Sequence, residues 1–285
     1  MSKNTVKITI LVNNQAYSGL MIEHGFSLWI EHGDQRILYD AGQGITIEPN
    51  AQKLNVDLGK TDILVLSHGH YDHTGGITKV MKHNPSIDVY CHPGVVQPRY
   101  SIPKGQAPTS IGMPRESLEM INQLSSQQLQ WVPEPVWLSN TIGITGPIPR
   151  KNSFEDTGGP FFSDPEGNHP DLLYDDIALW IKTDKGLVIC VGCCHAGLVN
   201  TLNYIQQLNH GLNVHAIIGG FHLVNASSER LDQTISALQS IKPDMLIPCH
   251  CTGEHAVEIL HNVLGRMVSP GAAGMIFSFP KQFAE

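Results

Sequence analysis

LVLSHGHYDHTGG, residues 64–76, sets three histidines and an aspartate within the six residues from His68 to His73, directly after an apolar run. The run DILVLS (62–67) is short, continuous and apolar, the pattern of a strand covered on both faces. Gly69, between His68 and His70, lets the backbone turn tightly and aims two imidazoles at one point. Asp72 and His73 fall at the start of the following helix-like stretch and face a second point nearby. A polar surface turn is the plain alternative. As chemistry, imidazole with carboxylate suits Zn²⁺, one or two ions, with Mn²⁺ or Fe²⁺ as substitutes. Two ions about 3.5–4 Å apart can clamp an attacked carbonyl or phosphoryl oxygen.

The event recurs along the chain. ILVLSHGH, LVICVGCCH, AIIGGFH and MLIPCH are each an apolar strand ending in a histidine. Four such ends place His68, His70, His195, His222 and His250 along one rim, where α/β proteins keep their chemistry. One strand-end histidine reads as structural. Four together do not, because each buried imidazole then needs a partner of its own.

The remaining pattern is that of one two-layered unit. VKITILV (6–12) is β-branched and alternating, and residues 25–42 read as a hairpin about a Gly-Asp turn. After residue 171, strand patterns at DIALWIKT, GLVICVG, VHAIIGG, DMLIPCH and GMIFSF alternate with helix patterns at 196–209, 227–241 and 253–265. Two packed sheets with helices outside satisfy this order. Residues 93–171 differ: prolines cluster there, a single helix pattern (115–127) interrupts them, and the segment reads as a lid-like insertion over a site.

The composition narrows the function classes. The 285 residues are 41% hydrophobic and 15% charged, enough for a sizeable core and unlike a disordered chain. A net charge of -8 offers no footprint for a phosphate backbone, so nucleic acid is not the expected partner. No apolar run approaches the ~18 residues of a membrane span, no secretory signal is visible, and the expected location is cytoplasmic. Of the six cysteines, Cys193, Cys194, Cys249 and Cys251 lie beside histidines in GCCHAG and PCHCTG, and are expected as reduced thiols lining or supporting a site.

His-x-His-x-Asp-His after an apolar strand resembles the signature of the metallo-β-lactamase superfamily. LYDAGQG, EHGFSLWIE, GCCHAG, GGFHL and PCHCTG extend the resemblance along most of the chain. Together they look like the branch of metal-dependent hydrolases that also holds the archaeal dihydropterin–aminobenzene ribofuranosyl phosphate synthase. The resemblance implies an αββα sandwich with a dinuclear site at its rim. It assigns His68 and His70 to a first metal and Asp72, His73 and His250 to a second, with Asp40 bracing the metal loop. The middle of the pattern departs: ITGPIPR lacks the usual histidine, and Gly192-Cys193 stands where Gly-Asp is usual. His195 is expected to supply the missing imidazole, and Cys193 is either a thiolate ligand or a bystander. His222 is expected to support the ligands or face substrate.

Other residues read as follows. Glu23 and His24 have a turn role or reach the rim. His92 is structural. Cys249 and Cys251 alternate with His250 and so are expected to point away from it. Arg99, Lys104, Arg115, Arg150 and Lys151 make the lid segment basic, which suits an anionic small molecule if they stand over the metals; its aromatics form a small core or stack a flat ring such as a pterin. Three functions follow. The first is a hydrolase that directs a metal-activated hydroxide, oriented by Asp72, at an ester, lactone, amide or phosphoester. The second is a transferase like the pterin synthase, its metals holding a pyrophosphate leaving group. The third is a non-catalytic metal or ligand sensor. The sequence carries no signal for oligomeric state.

Overall fold

A computed structural model describes residues 5–280. The strands, in chain order, are β1 (Thr5–Val12), β2 (Ser27–His32), β3 (Gln35–Tyr39), β4 (Ile63–Leu66), β5 (Asp88–Cys91), β6 (Tyr100–Ser101), β7 (Thr109–Ser110) and β8 (Leu129–Trp131). They continue with β9 (Val136–Trp137), β10 (Ile142–Ile144), β11 (Phe161–Phe162), β12 (Leu179–Thr183), β13 (Gly186–Val191), β14 (Val214–Gly220), β15 (Met245–Cys249) and β16 (Ile276–Pro280). The helices are α1 (Ile47–Lys53), α2 (Tyr71–Thr74), α3 (Ile77–His83), α4 (Arg115–Gln123), α5 (Leu198–Leu208), α6 (Ser228–Ile241) and α7 (Glu254–Leu264).

One sheet runs β16-β1-β2-β3-β4-β5-β8 and a second β15-β14-β13-β12-β10-β9. Strand alternation sorts the apolar residues into three cores. Ile8, Ile10, Ile30, Tyr39 and Val65 of the first sheet meet Leu179, Val188, Cys190, Ile218 and Ile247 of the second. The opposite face of the first sheet receives Ile47, Ile77, Val80 and Ile121 from α1, α3 and α4. The opposite face of the second receives Leu202, Ile205, Leu238 and Leu260 from α5, α6 and α7. Each buried Leu, Ile or Val contributes about 1.5–3 kcal/mol, so helix, sheet, sheet and helix are held as four layers. No helix among the described residues is long and apolar enough to cross a membrane.

Two features position the site. In β13, β14 and β15 the parallel strands all point their C-terminal ends to one rim, as β3 and β4 do in the other sheet. In β1 the register slips at a bulge between Ile10 and Val12, which re-aims the chain at Asn13 and Asn14 toward that rim.

The segment 93–171, which the sequence reads as one lid, is divided among three sheets. It supplies β8 to the edge of the first sheet and β9 and β10 to the second. Strands of two or three residues leave no periodicity to read, so proline dominated the pattern. A third sheet, β11-β6-β7, covers the rim. It is pinned there by the Tyr71 N–H, which donates to the Ile111 carbonyl at 3.0 Å.

Candidate metal centre

The sequence places each key side chain by ending a strand. β4 ends at Leu66, and the chain turns through Ser67-His68-Gly69-His70 into α2. Gly69 is required: a Cβ there would overlap the Val95 carbonyl and the Arg99 guanidinium. β13 ends at Val191, and Gly192 lets the GCCH turn pass directly over the β4 loop, since a Cβ would overlap Ser67 Oγ. His222 and His250 follow β14 and β15 with φ of 45° and 46°, the left-handed region that L residues rarely occupy. Such conformations persist where surrounding contacts over-determine them, characteristically at functional sites.

Four imidazoles are each anchored through one ring nitrogen. Asp40 Oδ2 accepts from the Ser67 hydroxyl at 2.7 Å and lies 2.7 Å from His73 Nδ1. With its proton spent on Asp40, Ser67 Oγ accepts from His68 Nδ1 at 2.9 Å. His195 Nδ1 donates to the Thr157 carbonyl at 2.7 Å. His250 Nδ1 donates to Asn14 Oδ1 at 2.8 Å, and the same oxygen takes the Gly25 N–H, which marks it as an acceptor. This assigns the protons, and it turns the second nitrogen of every ring inward. A histidine steered by an outer acceptor is the usual arrangement around a metal.

The inward atoms crowd one another. His68 Nε2 stands 3.0 Å from His70 Nδ1, and His73 Nε2 stands 3.1 Å from Cys193 Sγ. His250 Nε2 lies 3.1 Å from Asp72 Oδ2. His195 Nε2 is buried with no partner. These donors form overlapping triads whose ligand atoms lie within 4.8 Å of one another: His68-His70-His195, His68-His73-Cys193, Cys193-His250-Cys251 and His24-Asp72-His250. Nitrogen, oxygen and sulfur donors this close, all buried except His24 at the mouth, fit one or two divalent cations.

Electrostatics agree with that fit. Burial holds His68, His70 and His195 well below the ordinary imidazole range, with neighbouring histidines adding to it at His68 and His195. Burial also takes His250 and His222 down to about 4. These rings are neutral, as ligation requires. Burial pulls in the same direction at His73, yet Asp40 and Asp72 outweigh it and raise that imidazole to about 9. The position therefore calls for positive charge. Asp72, despite burial, stays far below the usual carboxylate range because His73, His24 and His250 surround it.

Several residues stand elsewhere than the sequence suggested. Cys251 is a correction: β15 stops at Cys249, and a 3₁₀ turn over His250–Thr252 replaces the extended chain on which alternation depended. The Cys251 sulfur therefore lies on the same side as His250. His24 reaches the rim, 3.1 Å from Asp72 Oδ2, whereas Glu23 has the turn role, accepting the backbone N–H groups of Gln43, Ile45 and Thr46. His92 accepts the Gly94 N–H, a local cap. Arg150 does not face the cavity; its guanidinium donates to the carbonyls of His195 and Leu172. Arg99 is buried behind the loop on Asp171 and Asp175, and Asp175 in turn accepts the Gly69 N–H at 2.8 Å. Asn13 and Asn14 escaped notice in the sequence, although NN directly after the first strand was a readable signal: Asn13 Oδ1 accepts the His250 N–H at 2.8 Å.

The centre opens on a cavity of about 1100 Å³ walled by Phe161, Ile111, His222, Val224 and the first turns of α7. Phe161 of the third sheet stacks edgewise on His195 at 5.4 Å between ring centroids and lies 5.3 Å from His70.

A four-layered αββα sandwich with inward-facing histidines at its rim defines a metal-site protein of one superfamily. Residues 22–201 match the family model of the metallo-β-lactamase superfamily, and the chain belongs to it. Among individual proteins, the chain is 32% identical over 265 residues to the 7,8-dihydropterin-6-methyl-4-(β-D-ribofuranosyl)-aminobenzene-5'-phosphate synthase of Methanocaldococcus jannaschii, covering 88% of each. It is 34% identical over 253 residues to an uncharacterised protein of the same organism, covering 88% of this chain and 92% of that one. A solved structure described as Tm1679, a metal-dependent hydrolase of the β-lactamase superfamily, superposes with a TM-score of 0.81 at 25% identity, covering 97% of this chain and all of that one.

Proposed function

We propose that the chain is a metal-dependent hydrolase acting on a small molecule that carries no negative charge away from the metal centre. The observation that carries this is the set of four imidazoles, each anchored through one nitrogen and turned inward, at the floor of a cavity of about 1100 Å³. The nitrogen and sulfur donors favour Zn²⁺ as the resident ion, over Mn²⁺ or Fe²⁺. Held by donors such as His68, His70 and His195, that ion would supply Lewis acidity toward an acyl or phosphoryl oxygen and would lower the pKa of water. Asp72, kept ionised by its neighbours, orients the attacking water through its carboxylate. His24, at the mouth and 3.1 Å from that carboxylate, carries the proton between site and solvent. Phe161 covers His195 and His222 and excludes water from that wall of the cavity.

Charge narrows the substrate. No lysine or arginine among the described residues lines the cavity. Arg99 and Arg150 of the lid segment are committed to internal partners, and Arg115 to Glu119. Any anionic group of the substrate therefore sits at the metal centre itself, since Glu254 and Glu258 in the cavity wall repel negative charge elsewhere.

A second reading is a transfer reaction like that of the archaeal synthase, supported by 32% identity across 88% of both chains. The cavity has room for two ring-sized reactants, with a pyrophosphate leaving group at the metal positions.

Turnover separates these readings. Dialysis against a chelator is expected to abolish hydrolysis of ester, lactone and phosphodiester panels, and added Zn²⁺ to restore it. In ¹⁸O-water the hydrolase transfers label to product. A transferase instead consumes a dihydropterin pyrophosphate only when the arylamine is present and takes up no label. Zinc-loaded protein without turnover in either assay defeats both readings.

A further inference from the structure

We propose that Cys251, with Cys193 and His250, forms a sulfur-bearing metal position on the cavity wall, beside the histidine triad of His68, His70 and His195. It rests on the metal centre argued above and adds a ligand that strand alternation had turned outward. The Cys193 and Cys251 sulfurs and a His250 ring nitrogen all lie within 4.8 Å of one another. Ligand atoms about 2.0–2.3 Å from one tetrahedral zinc stand about 3.3–3.8 Å apart, so rotamer adjustments suffice to close the set. All three side chains are buried, the cysteines 2% and 8% exposed.

The backbone prepares this position. The left-handed φ at His250 opens the 3₁₀ turn, and that turn swings Cys251 to the same side as His250. Gly220 at the end of β14 leaves the room, since a Cβ there would run into Cys251 Sγ. The Cys251 thiol makes a long contact, 3.8 Å, to the Cys193 carbonyl. Cys193 joins this triad to the rest, because its sulfur also stands 3.1 Å from His73 Nε2. His250 joins it to Asp72.

The chemistry follows from the donors. Two thiols and an imidazole form a soft set that takes Zn²⁺, Co²⁺ or Cd²⁺ and rejects Mg²⁺ and Mn²⁺. On binding, each thiol releases its proton to solvent and both electron pairs go to the metal, with no change in oxidation state. The plain alternative is a buried Cys251 that merely fills space as a small hydrophobe.

Cobalt decides between them on the full-length chain. Co²⁺-loaded protein is expected to show a near-ultraviolet thiolate-to-cobalt charge-transfer band that Cys251→Ser reduces by roughly half, one thiolate of two being lost. Cys249→Ser, whose sulfur contacts the Ile247 carbonyl, leaves the band intact. A band unchanged in Cys251→Ser overturns the proposal. So does a missing band with the visible cobalt bands still present, and that outcome leaves the histidine centre standing. Loss of both signals overturns the metal centre as well. Zinc-edge X-ray absorption on the unsubstituted protein needs no folded variant: two sulfur scatterers per chain at about 2.3 Å support the assignment, and one or none refutes it.

Discussion

His68→Ala is expected to empty the centre and abolish turnover. His68 belongs to two of the donor triads, one completed by His70 and His195 and the other by His73 and Cys193. Its loss removes a ligand from both positions, and no neighbouring side chain is free to replace it, because Ser67 is held by Asp40. A Lewis acid contributes several kcal/mol to the transition state, so kcat/KM should fall by about 10³-fold or more. Metal content by mass spectrometry should fall in parallel, while the melting curve keeps its cooperativity. His92→Ala is the matched control, since that ring only accepts the Gly94 N–H. Turnover within tenfold of the unsubstituted protein in His68→Ala would remove these triads from the mechanism.

Asp40→Ala is expected to be the most damaging single change to stability that leaves every proposed ligand in place. The carboxylate is fully buried and accepts the Ser67 N–H, the Ser67 hydroxyl and His73 Nδ1, all at 2.7 Å. Truncation leaves three polar groups without a partner. It also leaves His73, which Asp40 and Asp72 raise to about 9 against burial, with one supporting carboxylate fewer. Breaking a buried pair by removing one member costs about 3–5 kcal/mol. For a chain of this size that lowers the melting temperature by about 10 °C. Zinc affinity, measured against a competing chelator, should fall about 10–100-fold, the usual cost of losing an outer partner of a ligand. Asp40→Asn keeps the shape but must turn an NH₂ toward one donor, so its loss should be intermediate. An Asp40→Ala protein with unchanged melting and zinc affinity would show that the loop holds itself.

The parts of the fold legible in sequence are those with long uninterrupted patterns. VKITILV, DILVLS and VHAIIGG became β1, β4 and β14 because alternation or continuous burial extends over several residues. The helix pattern at 227–241 became α6, with the Ser227 hydroxyl accepting the Arg230 N–H at its start. The segment 93–171 resisted because its strands are two or three residues long and owe their existence to neighbours: β6, β7 and β11 form a small sheet of their own over the rim. The basic residues there looked available for substrate because sequence cannot show partners such as Asp171 or the His195 carbonyl.

The sequence by itself determined the strand-end placement of the histidines, since a run of apolar residues ending in histidine fixes both a buried strand and a side chain at its tip. It also showed that Cys193 occupies the place of an expected carboxylate. Only the tertiary structure decided which nitrogen of each ring faces inward, because that depends on acceptors 33, 38 and 236 residues away in Asp40, Thr157 and Asn14. It alone decided that Cys251 joins the site: one left-handed residue at His250 ends the period-two alternation, and backbone dihedrals of a single residue leave no trace in composition or periodicity.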